Sequence, residues 1–251
     1  EYQRNIVPGF LPAAAALCAF AGIQKGDRVL DLACGPGTAS FAALDAGAAE
    51  VVGLDQAPGM IALAKELAAH RPGMTFLEGN LLALPTPDAA FDVVISSFGV
   101  IFATDPDRAV REMARVLRPR GRMGLLAWKR EGVVARYYEC IEHFIPSVDV
   151  HNPYDWGRVP WATERLLGAF ENIQTQSLIV PFAATSPLDA WERLRVSTGR
   201  VALSYQTLSA TSRLALDREM EKFFTELTRS DGSVDWPREA VMMKGVKVGE
   251  G

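Results

Sequence analysis

The run Arg28-Val29-Leu30-Asp31-Leu32-Ala33-Cys34-Gly35-Pro36-Gly37-Thr38 constrains this chain more than any other stretch. Val29, Leu30 and Leu32 form a short apolar run of the kind a buried parallel strand shows. Asp31 interrupts it, and a carboxylate in that setting is costly unless a hydrogen-bond donor meets it. Gly35 and Gly37 permit a tight turn and a close approach of backbone to a ligand. Thr38 stands where a cap is expected for a helix through Phe41-Ala42-Ala43-Leu44. Strand, glycine turn and helix N-terminus together make the nucleotide corner of a doubly wound α/β sheet.

A dinucleotide fingerprint, G-x-G-x-x-G/A, aims backbone N–H groups at a pyrophosphate. Here Ala33 replaces an early glycine, Ser40 takes the third glycine position and Pro36 removes an N–H. Asp31 would also set negative charge beside a phosphate, so an NAD oxidoreductase is disfavoured. These residues suit a cofactor with an ammonium group and no phosphate. The run Val29 to Gly37 closely resembles motif I, D-x-G-x-G-x-G, of the class I S-adenosylmethionine (SAM) methyltransferases, with Ala33 a mild departure.

Further along, Glu50-Val51-Val52-Gly53-Leu54-Asp55 reads as a second strand ending in an acid, 24 residues beyond Asp31. That is close to the roughly 20 residues separating a glycine turn from an acid that accepts ribose hydroxyls. Gln56-Ala57-Pro58-Gly59-Met60 opens a helix over Ile61 to His70, stopped by Pro72-Gly73. Met74 to Glu78 is a third strand. Gly79-Asn80-Leu81-Leu82-Ala83-Leu84-Pro85 resembles the family's G-D-A-x-x-L-P segment, with Asn80 keeping an acceptor oxygen where the family has an acid. Phe91 to Ser96 is a fourth strand, Asp105-Pro106 caps a helix with an apolar face through Val116, and Met123 to Trp128 is a fifth strand. The block Phe91 to Trp128 resembles the family's "FD-V … E-M-x-R-V-L-x-P-G-G" region, with Arg120 in place of the first Gly of the pair.

The resemblance is specific over about residues 27–128. It implies an α/β, doubly wound, seven-stranded, mostly parallel Rossmann-like sheet with an antiparallel last strand, expected at Ala240 to Val248. A single methyltransferase domain over 1–251 is expected: a cofactor-binding core at 27–128, an aromatic-rich cap insertion at 129–171 and additional helices at 182–238. Residues 1–26 read as a lead-in helix covering the sheet, and the sixth strand falls at Asn172 to Pro181. Ser186-Pro187-Leu188-Asp189 is a capping box.

The implied cofactor is SAM, leaving S-adenosylhomocysteine. Its expected contacts are Asp31 and strand-end carbonyls near Ala33 and Ser96 at the ammonium, Ser97 or Phe98 near the methyl, Gly35, Gly37 and Thr38 at the turn, Asp55 at the ribose hydroxyls, and Met60, Asn80 and Leu81 at the adenine, with Gln56 a further cofactor contact. Phe98, Phe102, Trp128, Tyr137 and Tyr138 are the expected acceptor pocket. His143 is the candidate general base, its alternative being a surface or packing histidine or catalysis by proximity alone. His70 suits a helix C-terminus and His151 a loop.

Composition narrows the partners. A net charge of −4 argues against a dedicated nucleic-acid binder. Three dispersed cysteines give neither a disulfide framework nor metal spacing, and no ligand cluster for a metal is visible, which suits a reducing cytoplasm. The apolar stretch Leu11 to Ile23 is too short to span a membrane. Glu1, not Met, opens the chain, leaving room for residues upstream. Phe98 to Phe102 with Trp128 looks most like small-molecule enzymes related to the ubiquinone/menaquinone methyltransferases. A small-molecule acceptor and a monomer or homodimer are therefore expected. The alternatives are an RNA or protein methyltransferase and a non-catalytic SAM-binding module. Asn152-Pro153-Tyr154 lacks a proline of N-P-P-Y and follows the insertion, so it is rejected as a nucleic-acid motif.

Overall fold

A computed structural model describes residues 7–145, 152–197 and 199–249. Pro146 and His151 lie outside them. The chain divides into two compact units, one of Leu11–Trp128, Val150–Leu178 and Ala240–Gly251, the other of Glu1–Phe10, Lys129–Asp149 and Ile179–Glu239. The stretch 129–171 is thus shared between them.

The first unit is built on the sheet, in the order β3-β2-β1-β4-β5-β7-β6. The strands of the sheet are β1 (Arg28–Leu32), β2 (Glu50–Asp55), β3 (Met74–Glu78), β4 (Phe91–Ser97), β5 (Leu117–Trp128), β6 (Phe170–Ala184) and β7 (Val234–Lys247), the last two belonging to this unit over residues 170–178 and 240–247. β1 to β5 pair in parallel, and β7 runs antiparallel to β5 from Arg122↔Val246 to Trp128↔Ala240. The apolar runs predicted for buried strands hold: Val29, Leu30, Val93, Val94 and Ile95 are fully enclosed. Strand order reverses between β1 and β4, which makes the crevice outside their carboxyl ends the place where such sheets bind ligands.

Helices α1 (Val7–Ala21), α2 (Thr38–Asp45), α3 (Pro58–Leu67), α4 (Pro106–Val116) and α6 (Val159–Leu166) accompany the strands. α1 lies against β5 so closely that a Cβ on Gly124 would stand 2.6 Å from that of Ala21. α4 buries Ala109, Val110, Met113 and Val116, and Asp105 caps it by accepting the Arg108 N–H at 2.9 Å. Two expectations are corrected. Thr38 is the first helical residue of α2 and Gly37, at φ 89°, is the cap, with no side-chain bond. β5 begins at Leu117, not at the expected Met123, with a register shift between Phe91 and Val93 on its partner, so residues 118–121 form a bulge inside the strand. Arg120 sits there at φ 65°, a conformation that favours the glycine of the family pattern.

The second unit holds α5 (Gly132–Phe144), α7 (Pro187–Ser197), α8 (Gly199–Thr207) and α9 (Ala210–Thr225). Its core is a ring cluster in which Trp236 meets Tyr137 (4.9 Å between centroids), Phe223 and Phe224 (both 5.7 Å) and Phe182 (6.1 Å). The Asp217 carboxylate ties α7 and α8 to α9 by accepting from Trp191 Nε1 (2.7 Å) and the Tyr205 hydroxyl (2.8 Å). Ser186 caps α7 as expected, accepting from the Asp189 N–H at 3.1 Å, while Asp189 returns the bond to Thr185, not Ser186. Among the described residues no helix is long and apolar enough to cross a membrane.

Candidate active site

The ends of four parallel strands are stitched together by backbone groups. After β1, Cys34 N donates to Leu54 O at 3.0 Å, and Gly37 N donates back to Cys34 O at 2.9 Å. Gly35, at φ 54°, leaves open space where a Cβ would be, whereas a Cβ on Gly37 would lie 2.9 Å from the Phe76 ring. The turn is therefore packed from beneath at Gly37 and open at Gly35. Asp55, half-buried at the end of β2, accepts from Gly35 N on one carboxylate oxygen and from Ala57 N on the other, each at 2.8 Å. Each oxygen keeps a further lone pair for a ligand hydroxyl. Gly79 N donates to Asp55 O at 3.0 Å, which brings the loop carrying Asn80 and Leu81 to the same corner. Asn80 is exposed and accepts the Leu82 N–H at 2.8 Å, an Asx turn. Gln56 is exposed and Met60 half-buried on the first turn of α3.

β4 ends in a second clasp. The fully buried Ser96 hydroxyl donates to Leu32 O and accepts the Val100 N–H, both at 2.8 Å. Its side chain is committed to the fold, leaving Ser97, half-buried, as the more accessible of the two. Phe98 adopts φ 59° and Ala33 φ 51°, left-handed conformations that side chains rarely take. Gly99 lies between them: its Cβ would fall 2.6 Å from that of Ala33 and 2.7 Å from Leu32 O. Phe98 stacks on Trp128 with centroids 4.1 Å apart. Phe102 follows on a 3-10 turn, 58% exposed.

Asp31, expected to meet an ammonium directly, is only 1% exposed, and its side chain turns to α2, where Ser40 Oγ donates to it at 2.6 Å. Its side chain thus faces α2 and lies beneath the surface of the corner. Burial pushes its carboxyl up to about 7, against the pull of Ser40 and with a further push from Asp55. Burial likewise raises the Cys18 thiol to about 12 and the Cys34 thiol well above its usual range. Ser40, read in the sequence only as a missing glycine, is thus the donor that a buried Asp31 required. A polar residue nine positions after a strand carboxylate, in an otherwise apolar helix start, was the available signal.

The remaining candidates fall in the second unit. Tyr137 is a core residue of its ring cluster, with Tyr138 edge-on to it at 5.0 Å. His143 is exposed on the last turn of α5, edge-on to Phe144. Among the described residues no three His, Cys, Asp or Glu come together as a metal set.

The corner's chemistry fits the implied cofactor. Two carboxylates, Asp31 and Asp55, border it, residues 31–38 carry no lysine or arginine, and Pro36 offers no N–H. Asp31 Oδ1 is buried without a hydrogen-bond partner among the described residues. The Asp55 carboxylate, joined by Asp31 once a neighbouring cation ionises it, favours a cationic, phosphate-free group.

Comparison with known proteins agrees. Residues 29–121 match the family described as "Methyltransferase domain". An uncharacterized protein of Mycobacterium tuberculosis is 33% identical over 232 residues, covering 90% of this chain and 84% of its own. The ubiquinone/menaquinone biosynthesis C-methyltransferase UbiE of Pasteurella multocida is 39% identical over 194 residues, covering 75% and 68%. The crystal structure of YcgJ from Bacillus subtilis shares the fold with a TM-score of 0.63 at 21% identity, covering 96% of this chain and all of its own. The chain belongs to the class I methyltransferases related to the UbiE group, and it is an enzyme that methylates with SAM.

Proposed function

We propose that the methyl acceptor is a small molecule with an apolar face, attacked in line, and that Phe98 and Trp128 help to receive it. The observation that carries this is the ring stack at the carboxyl ends of β4 and β5, with Phe98 held in a conformation costly for its size. The UbiE relative, a C-methyltransferase of ubiquinone/menaquinone biosynthesis, supports the same class of acceptor.

When bound, SAM supplies an electrophilic sulfonium methyl. Asp55 would accept the ribose hydroxyls with Gln56 beside it. Asn80 and Leu81 would meet the adenine edge, with Met60 flanking. Backbone groups of Ala33, Gly35, Gly37 and Thr38, with strand-end groups at Ser96 and Ser97, would line the amino-acid end, and Asp31 would act on the ammonium by its field. Holding nucleophile and methyl in line can itself lower the barrier by up to about 7–11 kcal/mol. No base is required for an amine or a phenolate, so exposed His143 is expected to leave the shape of the pH–rate profile unchanged when replaced by Ala.

Calorimetry tests the cofactor half: SAM and S-adenosylhomocysteine should bind and NAD should not, and comparable NAD affinity overturns the corner's assignment. Turnover tests the rest. Transfer to a small phenolic or quinol acceptor supports the proposal. Transfer only to RNA or protein, or binding without transfer to any acceptor class, rejects it.

A further inference from the structure

The stretch Glu112-Met113-Ala114-Arg115-Val116 carries a network that the cofactor corner does not account for. Arg115 Nε and Nη2 donate to the two oxygens of Glu112, each at 2.8 Å, a bidentate pair on one face of α4. Nη2 also donates to Leu84 O at 3.0 Å, and Nη1 to Thr86 O at 2.9 Å and Asp88 Oδ1 at 2.7 Å. All five guanidinium donors are thereby spent. Glu112 completes the loop by accepting the Leu84 N–H at 2.7 Å. The Arg115 and Val116 carbonyls accept from Ala89 and Ala90, so the segment from residue 84 to residue 90 is fastened to α4 along its length. The charges reinforce one another: Arg115 holds the Glu112 carboxyl below its usual range, while Glu112 and Asp88 raise the guanidinium. Asp88 is 77% exposed, so the Glu112 fork and the two carbonyls, not that outer pair, define the geometry.

What this clamp holds lies within reach of the cofactor corner. Residues 84–88 are the far limb of the loop that begins Gly79-Asn80-Leu81. The loop folds back on itself: Asn80 and Ala83 bridge, and a Cβ on Gly79 would stand 3.4 Å from Pro85 Cδ and 2.9 Å from Leu54. Gly79 is the residue bonded to Asp55 O. The clamped limb therefore adjoins, through Ala83 and Pro85, the backbone on which Asn80 and Leu81 stand.

We propose that Arg115, aligned by Glu112, is a positioning residue for recognition of the cofactor's base, setting the path of the loop on which Asn80 and Leu81 stand. This rests on the assignment of those two residues to the adenine edge. A planar fork is required, because a lysine supplies the charge without the bidentate geometry.

The test compares S-adenosylhomocysteine with S-inosylhomocysteine, which lacks the base amino group but keeps the sugar and amino-acid end. Arg115→Ala should weaken the adenosyl ligand about tenfold while changing the inosyl ligand less than about threefold, and Arg115→Lys should not restore the preference. Hydrogen exchange supplies a readout independent of activity: the Leu84 amide should lose protection while the β1 and β4 amides keep theirs. A folded Arg115→Ala chain with unchanged base preference, or full rescue by lysine, overturns the proposal. If Arg115→Ala does not fold, Glu112→Gln, which keeps volume but loses the ionic fork, should show the same selective loss, and an unchanged preference there overturns it too. Failure of the unaltered chain to bind S-adenosylhomocysteine would instead reject the cofactor assignment, and equal binding of both ligands by that chain would reject the adenine-edge assignment.

Discussion

The Asp55 carboxylate is asked to do two things at once. It holds Gly35 N and Ala57 N at 2.8 Å each, and in the proposed site its remaining lone pairs would accept the ribose hydroxyls. Charge-assisted bonds of that kind contribute roughly 1.5–3 kcal/mol, so Asp55→Ala should weaken S-adenosylhomocysteine by about that much in calorimetry. Asp55→Asn should retain part of the affinity, because its carbonyl oxygen can still hold one of the two backbone amides. Normal binding by Asp55→Ala would remove Asp55 from the site. Asp31 makes a different prediction, in pH. Its carboxyl ordinarily ionises near 3.8 and in the fold only near 7, so between these values the native state holds a proton that the unfolded chain has lost. Stability should fall as pH rises through that window and level off above it, by on the order of a few kcal/mol at most. Asp31→Asn should flatten this part of the curve in denaturant titrations between about pH 4 and pH 8. Cys18 and Cys34, its thiol neighbours, stay neutral throughout because burial raises both.

At the scale of elements, the turns after β1 and β4 interlock around one glycine. A Cβ at Gly99 would stand 2.6–2.8 Å from the Ala33 Cβ and from the Leu32 and Ala33 carbonyls, backbone that cannot yield cheaply. Gly99→Ala should therefore destabilise by more than about 2 kcal/mol. Ala33→Gly goes the other way: relieving a left-handed alanine gains about 1–2 kcal/mol against the larger entropy loss of glycine, so a rise in melting temperature of a few degrees is expected. A fall would mean that the Ala33 methyl packs usefully. These turns also mark how far the sequence could be read. The five parallel strands, the Asp105-capped α4 and the antiparallel last strand were legible, because each is written in a local apolar run or a cap. The Gly37 cap in place of Thr38, the bulge that starts β5 at Leu117 and the turning of Asp31 toward Ser40 were not. Each is decided by what the backbone meets across the sheet: Phe76 beneath Gly37, Phe91 opposite Leu117, α2 above Asp31.

For the whole molecule, the division into two units could not be read from local patterns, since each is assembled from three separate stretches and the aromatic insertion contributes to both. Aromatic residues there looked like an acceptor pocket, yet Tyr137 serves the core of its own unit around Trp236. The net charge of −4 remains the whole-molecule quantity with the sharpest consequence for function. An RNA acceptor is held mainly by phosphate contacts, and six of them would cost about a thousandfold in affinity between 50 and 200 mM salt. An apolar small molecule held by rings such as Phe98 and Trp128 pays no such penalty. Methyl transfer measured at subsaturating acceptor should therefore change by less than about twofold over that range of salt. Phe102→Ser, at a position 58% exposed and so of little consequence for folding, should raise the acceptor KM while leaving S-adenosylhomocysteine affinity unchanged. A steep fall in transfer with salt, together with an indifferent Phe102→Ser, would move the acceptor from the small-molecule class to nucleic acid.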